Sequence, residues 1–154
     1  MRKKSHISLA KYIVDSLNEQ NLQKHKKAFY LGSILPDCKP SFLTTRHEIQ
    51  ETFDQVEEKI RRLSSGENVK NLRVYFRDLG QVIHYVADYF TFPHNRNYTG
   101  TLKDHCTYEK RLKQGLKEYI RSGEAARNSE KARRFRSPEA ICEFIRRAHE
   151  AYMS

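Results

Sequence analysis

Tryptophan is absent from this 154-residue sequence, and glycine and proline are scarce, with six and four residues. Glycine and proline are the residues that most often mark turns and loops, so their scarcity disfavours a loop-rich chain and favours helices joined by short turns. Eight phenylalanines and nine tyrosines are present, which are too many aromatic side chains for a disordered polar chain. The length fits one domain of ordinary size, and we expect a single domain over residues 1–154.

Cysteine and long apolar runs are also rare. The three cysteines form no CxxC pair; they are Cys38, Cys106 and Cys142. This number and spacing disfavour a disulfide framework or a thiolate zinc finger and predict reduced thiols. No segment approaches the ~18 apolar residues of a membrane span. The basic N-terminal stretch imitates a signal peptide, but His6, Lys11 and Asp15 interrupt its apolar region. We therefore expect a cytoplasmic protein.

Acidic residues are outnumbered, with 19 Asp and Glu against 29 Lys and Arg, giving a formal charge of +10. Such an excess favours anionic partners, which include phosphorylated small molecules, nucleic acid and an acidic membrane surface. The charge does not choose among these partners, and a basic solvated surface is the alternative interpretation. Nothing in the sequence specifies an oligomeric state.

Apolar residues recur at helical spacing, and strand-like alternation is not seen. The predicted helices cover about residues 5–18, 22–34, 45–63, 69–90, 101–121 and 138–152. Their predicted starts are Ser5, Asn68, the Ser137–Pro138 pair and the capping boxes Thr45–Glu48 and Thr101–Asp104. Residues 35–42 contain two prolines and are predicted to form a loop, and residues 122–136 a charged, partly helical connection. The pattern predicts an all-α fold, a compact bundle of five to six helices.

Titratable residues interrupt the apolar, aromatic run QVIHYVADYFTFPH at 81–94. His84 and Asp88 are four residues apart, so they share one helix face, and His105 and Glu109 repeat this spacing on the next helix. One such pair alone would be an ordinary contact on a solvated face. The surroundings of His84 and Asp88 are apolar, however, and a buried carboxylate needs cations or donors. Two such pairs on adjacent helices can converge on a divalent metal ion.

Further candidate ligands lie near helix ends. His94 follows Pro93 in the loop that joins the two helices carrying these pairs. Asp37 lies in the 35–42 loop at the end of one predicted helix, and His47 lies in the first turn of the next. His6 lies in the first helix. Gly80, one turn before His84, either leaves room for a ligand or eases helix packing.

The order of these residues resembles the zinc-dependent phospholipase C family, within the superfamily that also holds the S1/P1-type nucleases. The pattern is His6, Pro36-Asp37, His47, HYVADYFTFPH and the HxxxE of His105–Glu109, and it covers about residues 5–110. The resemblance implies an all-α fold with up to three zinc ions in a cleft. By the resemblance, three groups hold the ions: His47, His84 and Asp88 with Asp37; His94, His105 and Glu109; and His6 with Asp88 as a bridge. Asp37 would also be the catalytic general base, and His25 and His149 would be surface residues.

The chain departs from the family at two points. Secreted members complete the third site with an N-terminal tryptophan, which this sequence lacks; the Met1 amino group is the candidate substitute, and a weak, water-completed or empty site is the alternative. The aromatic residues that bind choline in the best-known lipases are also missing, since Cys38 and Thr44 stand in their places.

The resulting hypothesis is a zinc-dependent phosphoric ester hydrolase that cleaves a P–O bond with metal-activated water and uses two to three Zn2+ ions. The expected substrate is an anionic phosphate ester, either a phospholipid or another phosphodiester. One alternative is an S1/P1-type nuclease whose basic residues track nucleic acid, namely Arg61, Arg62, Arg111, Arg133, Arg134, Arg146 and Arg147. A third is a metal-stabilised helical binding domain without catalysis.

Overall fold

The computed structural model describes residues 1–40, 46–66, 70–129 and 134–154 of the chain. Within these residues there are eight α-helices and no strand, which confirms the predicted all-α class. The helices are α1 (Lys3–Leu17), α2 (Gln20–Lys24), α3 (Lys26–Ile34), α4 (Ile49–Ser65), α5 (Leu72–Tyr89), α6 (Leu102–Arg121), α7 (Glu124–Ser129) and α8 (Pro138–Met153). Short 3-10 helices cover Leu35–Cys38 and Phe92–His94. None of the helices in the described ranges combines the length and apolar character needed to cross a membrane.

The helix bundle has six helices of nine residues or more, in line with the predicted number, and two shorter ones. The predicted helix over 22–34 is wrong in one respect, because the chain breaks at His25 into α2 and α3. The His25 ring is half-buried and stacks on Phe76 with 5.9 Å between ring centroids, so it is not the surface residue predicted. The Glu19 side chain accepts hydrogen bonds from two backbone N–H groups and caps α2, which the sequence reading missed.

The predicted Ser5 cap is wrong. The N-cap of α1 is Arg2, and Ser5 is fully buried inside the first turns of the helix. The Arg2 backbone N–H donates to the Glu109 carboxylate on α6 at 2.7 Å, so a tertiary contact fixes where α1 begins.

Two other helix starts agree with the sequence, whereas α4 and α5 begin later than predicted, at Ile49 rather than 45 and at Leu72 rather than 69. The Thr101–Asp104 capping box and the Ser137 cap before Pro138 are both present. The predicted caps Thr45 and Asn68 lie outside the described residues; the assigned N-caps of α4 and α5 are Glu48 and Asn71. In the predicted loop, Leu35–Cys38 form a 3-10 turn.

Helix α5 lies between two apolar clusters. On one side Val82 and Tyr89 pack with residues of α4 and α8, and on the other Phe76 packs with residues of α1, α2 and α3. The Cys142 thiol is buried in the first cluster, and all three cysteines are free, as predicted. Because α5 is covered on both sides, its polar residues His84 and Asp88 are removed from water.

Two glycines let α3 and α5 approach closely. A Cβ atom at Gly80 would lie 2.3 Å from the Phe29 carbonyl oxygen, and one at Gly32 would lie 2.0 Å from the Arg77 carbonyl oxygen. Real Cβ atoms do not tolerate such distances, so the backbones meet only because both residues are glycine. Of the two roles considered for Gly80, the structure supports helix packing.

We predict that Gly80→Ala lowers the free energy of unfolding by about 1–3 kcal/mol, because the added methyl group forces α3 and α5 apart. Gly115→Ala is the matched control, since nothing lies within 4 Å of a Cβ atom at Gly115 on α6. Alanine is there expected to stabilise the helix by up to about 1 kcal/mol. Urea unfolding followed by far-ultraviolet circular dichroism measures both changes. A Gly80→Ala protein as stable as the wild type would contradict the close approach.

Candidate metal centre

The first group of candidate ligands comes together around α5. His84 and Asp88 are fully buried one turn apart on this helix. Asp88 Oδ2 lies 3.0 Å from His47 Nδ1 and 3.2 Å from His84 Nε2. Asp37 Oδ1, from the turn after α3, lies 3.5 Å from His84 Nε2 and 3.6 Å from His47 Nδ1. One donor atom from each of the four residues lies within 4.8 Å of the other three.

The hydrogen bond of His84 sets which ring nitrogen faces this group. His84 Nδ1 lies 2.8 Å from the Ser33 carbonyl oxygen, so Nδ1 carries the proton and donates it. Nε2 then points at Asp37 and Asp88. Such a backbone hydrogen bond on one imidazole nitrogen is the usual way to orient the other as a metal ligand.

The buried carboxylates of the first group, those of Asp37 and Asp88, are stabilised by nearby positive charge. Burial alone would lower the pKa of His84, but hydrogen bonds with Asp37 and Asp88 outweigh it and raise the pKa to about 9. Burial would raise the pKa of Asp88, but His47, His6 and His84 hold it well below its ordinary value. Two carboxylates in this buried place are stabilised by positive charge, which can come from a proton on His84, from the Met1 amino group 2.6 Å from Asp88 Oδ1, or from a metal ion.

The second group joins α6 to the turn before it. His105 and Glu109 lie one turn apart on α6, and His94 belongs to the Phe92–His94 turn. Glu109 Oε1 lies 3.5 Å from His105 Nε2 and 3.7 Å from His94 Nε2. The donor atoms of these three residues all lie within 4.8 Å of one another. Burial would raise the pKa of Glu109, but His94, the N-terminal amino group and the Arg2 N–H lower it to about 2.

The third group uses the other oxygen of Asp88. Asp88 Oδ1 lies 3.2 Å from His6 Nε2 and 2.6 Å from the Met1 amino nitrogen. That amino nitrogen also lies 2.7 Å from His94 Nε2 and 3.1 Å from Glu109 Oε1. The two oxygens of Asp88 therefore face two different sets of nitrogen atoms, which is the arrangement of a bridging carboxylate.

Two buried polar atoms in the described part of the chain indicate that a ligand fits here. His6 Nε2 and Glu109 Oε1 lack hydrogen-bond partners, although both have neighbours of opposite polarity within ion-pair distance. Leaving a buried polar atom unsatisfied costs about 1–3 kcal/mol. Imidazole nitrogen and carboxylate oxygen are also the donors that zinc accepts. The residues present therefore fit divalent zinc, both because their donor atoms are ones that zinc accepts and because His6 Nε2 and Glu109 Oε1 lack hydrogen-bond partners.

All eight predicted ligand residues are thus brought together by the structure. They are His6, Asp37, His47, His84, Asp88, His94, His105 and Glu109. Their role as ligands stays a prediction.

His149 was predicted to lie on the surface, and that is wrong. It is buried, and its Nε2 lies 2.8 Å from Asn95 Oδ1. The Asn95 amide nitrogen in turn donates to the carbonyl oxygens of Tyr89 and Thr91. His149 therefore supports the turn that carries His94. The signal was present in the sequence, since His149 continues the apolar face of α8 with Cys142 and Ile145.

A cavity of about 400 Å³ opens beside both groups of ligands. Its lining includes His47 of the first group and His94 and His105 of the second, together with Arg46 and Arg96. A smaller cavity of about 240 Å³ adjoins Asp37 and Glu109. The candidate ligands are therefore accessible to a small molecule.

None of the described arginines proposed to track nucleic acid lines either of the two cavities beside the ligands. Arg61 and Arg146 both pair with Glu57, and Arg147 pairs with Glu143, on α4 and α8. Arg62, Arg111 and Arg134 are exposed, and Arg133 lies outside the described residues. Carboxylates thus offset three of these seven cations, as on an ordinary solvated helix face.

The fold is all-α, and its buried histidine–carboxylate groups are ones that could hold metal ions. A family model described as zinc dependent phospholipase C matches residues 5–154, essentially the whole chain. The chain belongs to this family. The match confirms the resemblance carried by His6 to Glu109 and extends it through α8. Comparison with curated proteins and with solved structures gives no significant match.

We predict that Asp88→Asn lowers the zinc content by more than one equivalent per chain, because the two oxygens of Asp88 face two groups of ligands. Elemental mass spectrometry of protein purified without a chelator measures this loss. Asp78→Asn is the matched control, since Asp78 is a buried carboxylate on the same helix that contacts Arg77 and Gln81 instead. An Asp88→Asn protein that retains the wild-type zinc content would refute the bridging role.

Proposed function

We propose that this chain, acting as one domain over residues 1–154, is a zinc-dependent hydrolase that cleaves a P–O bond of a phosphate ester. The observation that carries the proposal is Asp88, which is fully buried and faces both the His47–His84 pair and His6. Such a placement is costly in a purely structural helix bundle and useful in a centre that holds two ions close together.

The proposed ligands fall into the three groups already described, and zinc bound there would supply Lewis-acid binding of phosphate oxygens and a water of lowered pKa. The protein's own contribution is rigidity. His84 is oriented by the Ser33 carbonyl group, and the His94 turn is supported through Asn95 by His149. Ligands held on helices and on hydrogen-bonded turns keep a fixed geometry, which catalysis of this type requires.

Asp37 is the proposed catalytic base. It lies at the edge of the first group and also lines the smaller cavity, so it can reach a water molecule beside the ligands. Burial would raise the pKa of Asp37, but its hydrogen bond with His84 prevails and lowers it, so the carboxylate is ionised at neutral pH. In this role Asp37 orients the attacking water and accepts its proton as the water oxygen bonds to phosphorus and the ester P–O bond breaks. The leaving alkoxide then takes up a proton from solvent and departs as the alcohol.

Family membership favours a phospholipid as the substrate class. Within the described residues the arginines near Glu57 and Glu143 form ion pairs, and no observation favours nucleic acid. Hydrolysis of a phospholipid at this bond would release an alcohol and a phosphate monoester.

We predict that zinc-loaded protein hydrolyses p-nitrophenyl phosphodiesters and soluble short-chain phospholipids, and that chelation abolishes and zinc restores this activity. Asp37→Asn should lower the rate per bound zinc by about 10²- to 10⁴-fold, because the water loses its base. Asp78→Asn serves again as the control and should keep the activity.

The same panel includes single-stranded DNA. Cleavage of DNA in preference to the phospholipids would replace this proposal with the nuclease alternative. Zinc-loaded protein that hydrolyses nothing in the panel would leave a metal-stabilised binding domain.

A further inference from the structure

The larger cavity beside the ligands is lined by two arginines from distant parts of the chain. Arg46 immediately precedes His47, and Arg96 follows His94 by two residues. Both therefore extend from segments that also carry a candidate ligand, and both share one cavity with His47, His94 and His105.

A buried carboxylate holds the two arginines together. Glu48 is 5% exposed, and its Oε1 lies 3.4 Å from Arg46 Nη1 while its Oε2 lies 3.5 Å from Arg96 Nε. One carboxylate thus orients two guanidinium groups at the cavity. The arginine side chains themselves are 76% and 62% exposed, so these ion pairs contribute little to stability.

The charge of this cavity is positive before any metal ion is counted. Glu48 is the only carboxylate in its described lining, and it is opposed by Arg46 and Arg96. Each arginine uses one nitrogen on Glu48, Nη1 of Arg46 and Nε of Arg96, and both guanidinium groups are otherwise largely exposed at the cavity. Guanidinium groups bind carboxylates and phosphates with paired N–H donors.

We propose that Arg46 and Arg96 form a subsite for a second anionic group of the substrate, next to the candidate metal centre. The substrate class is then a phosphate ester whose other end carries a carboxylate or phosphate. This inference rests on the proposed function, since it places the reacting phosphate at the candidate ligands.

A cationic end such as choline fits this cavity poorly. A quaternary ammonium group is recognised by aromatic rings or free carboxylates. The described lining has one phenol ring, Tyr98, whose hydroxyl donates to the Thr101 carbonyl oxygen, and one carboxylate, Glu48, which already faces two arginines. Two guanidinium groups would repel the ammonium charge.

Isothermal titration calorimetry of the zinc-loaded protein tests the subsite without turnover. The probes are three phosphate monoesters whose second end is anionic, neutral or cationic: 3-phosphoglycerate, glycerol 3-phosphate and phosphocholine. The wild type is expected to bind them in that order of decreasing affinity. The double variant Arg46→Gln, Arg96→Gln should bind 3-phosphoglycerate about tenfold more weakly and lose most of the preference, because the charge-assisted hydrogen bonds are gone.

Arg73→Gln is the matched control, since Arg73 is an exposed arginine on α5 that lines a different cavity. It should leave the three affinities unchanged. Zinc content is measured on every variant, so that loss of the metal centre is not mistaken for loss of the subsite.

Each outcome separates the two proposals. Any of three results would overturn the subsite. The wild-type protein binds phosphocholine as tightly as 3-phosphoglycerate, the double variant keeps the preference for 3-phosphoglycerate, or the wild-type protein binds none of the probes. If the arginine-dependent order holds but no phosphodiester is hydrolysed, the subsite stands and the hydrolase proposal fails. If phosphodiesters are hydrolysed and the order does not depend on the arginines, only the subsite fails.

Discussion

The buried carboxylate of Asp88 is the constraint on which the rest of the structure depends. An ionised carboxyl group without access to water costs several kcal/mol unless cations or hydrogen-bond donors surround it. Three imidazole rings turn a nitrogen atom toward Asp88: that of His6 on α1, that of His47 just before α4, and that of His84 on α5 itself. A neutral imidazole offers at most one N–H donor, and the Met1 amino group supplies positive charge only on the Oδ1 side, 2.6 Å away, whereas divalent ions would supply it to both oxygens. The architecture therefore gathers imidazole nitrogens around one carboxylate, an arrangement that could hold metal ions.

The helices are packed so that this arrangement is rigid. Gly32 and Gly80 let α3 approach α5 until the Ser33 carbonyl group meets His84, and the chain then turns to place Asp37 opposite the same ring. On the other side of the centre, Arg2 bonds Glu109 and fixes the start of α1 against α6. The apolar clusters on both sides of α5 thus position polar atoms as well as stabilise the fold. A substitution at Gly32 or Gly80 is expected to shift the backbone and, through it, the positions of the candidate ligands.

Local spacing in the sequence was enough to predict the paired candidate ligands and most of the helices. The pairs His84–Asp88 and His105–Glu109 can be recognised in the sequence because residues four apart share a helix face. The Thr101 and Ser137 caps can be recognised because they depend only on nearby residues. Features that depend on tertiary contacts were not accessible in the same way. The start of α1 follows from the contact of Arg2 with α6, and the convergence of Arg46 and Arg96 on Glu48 joins segments far apart in the chain. The two faces of Asp88 also join distant segments, and they were predicted only through the family resemblance. His149 is a different case, since its place on the apolar face of α8 could have been read from the sequence.

Anomalous diffraction at the zinc absorption edge tests the central claim most directly. The crystals would be grown from protein purified without a chelator or a histidine tag and supplemented with zinc. The account predicts strong anomalous peaks inside the group of Asp37, His47, His84 and Asp88 and inside the group of His94, His105 and Glu109, with Asp88 in contact with more than one peak. Zinc-supplemented crystals without a peak at either group would contradict it and would leave the buried charge of Asp88 to be balanced by the Met1 amino group and the histidines.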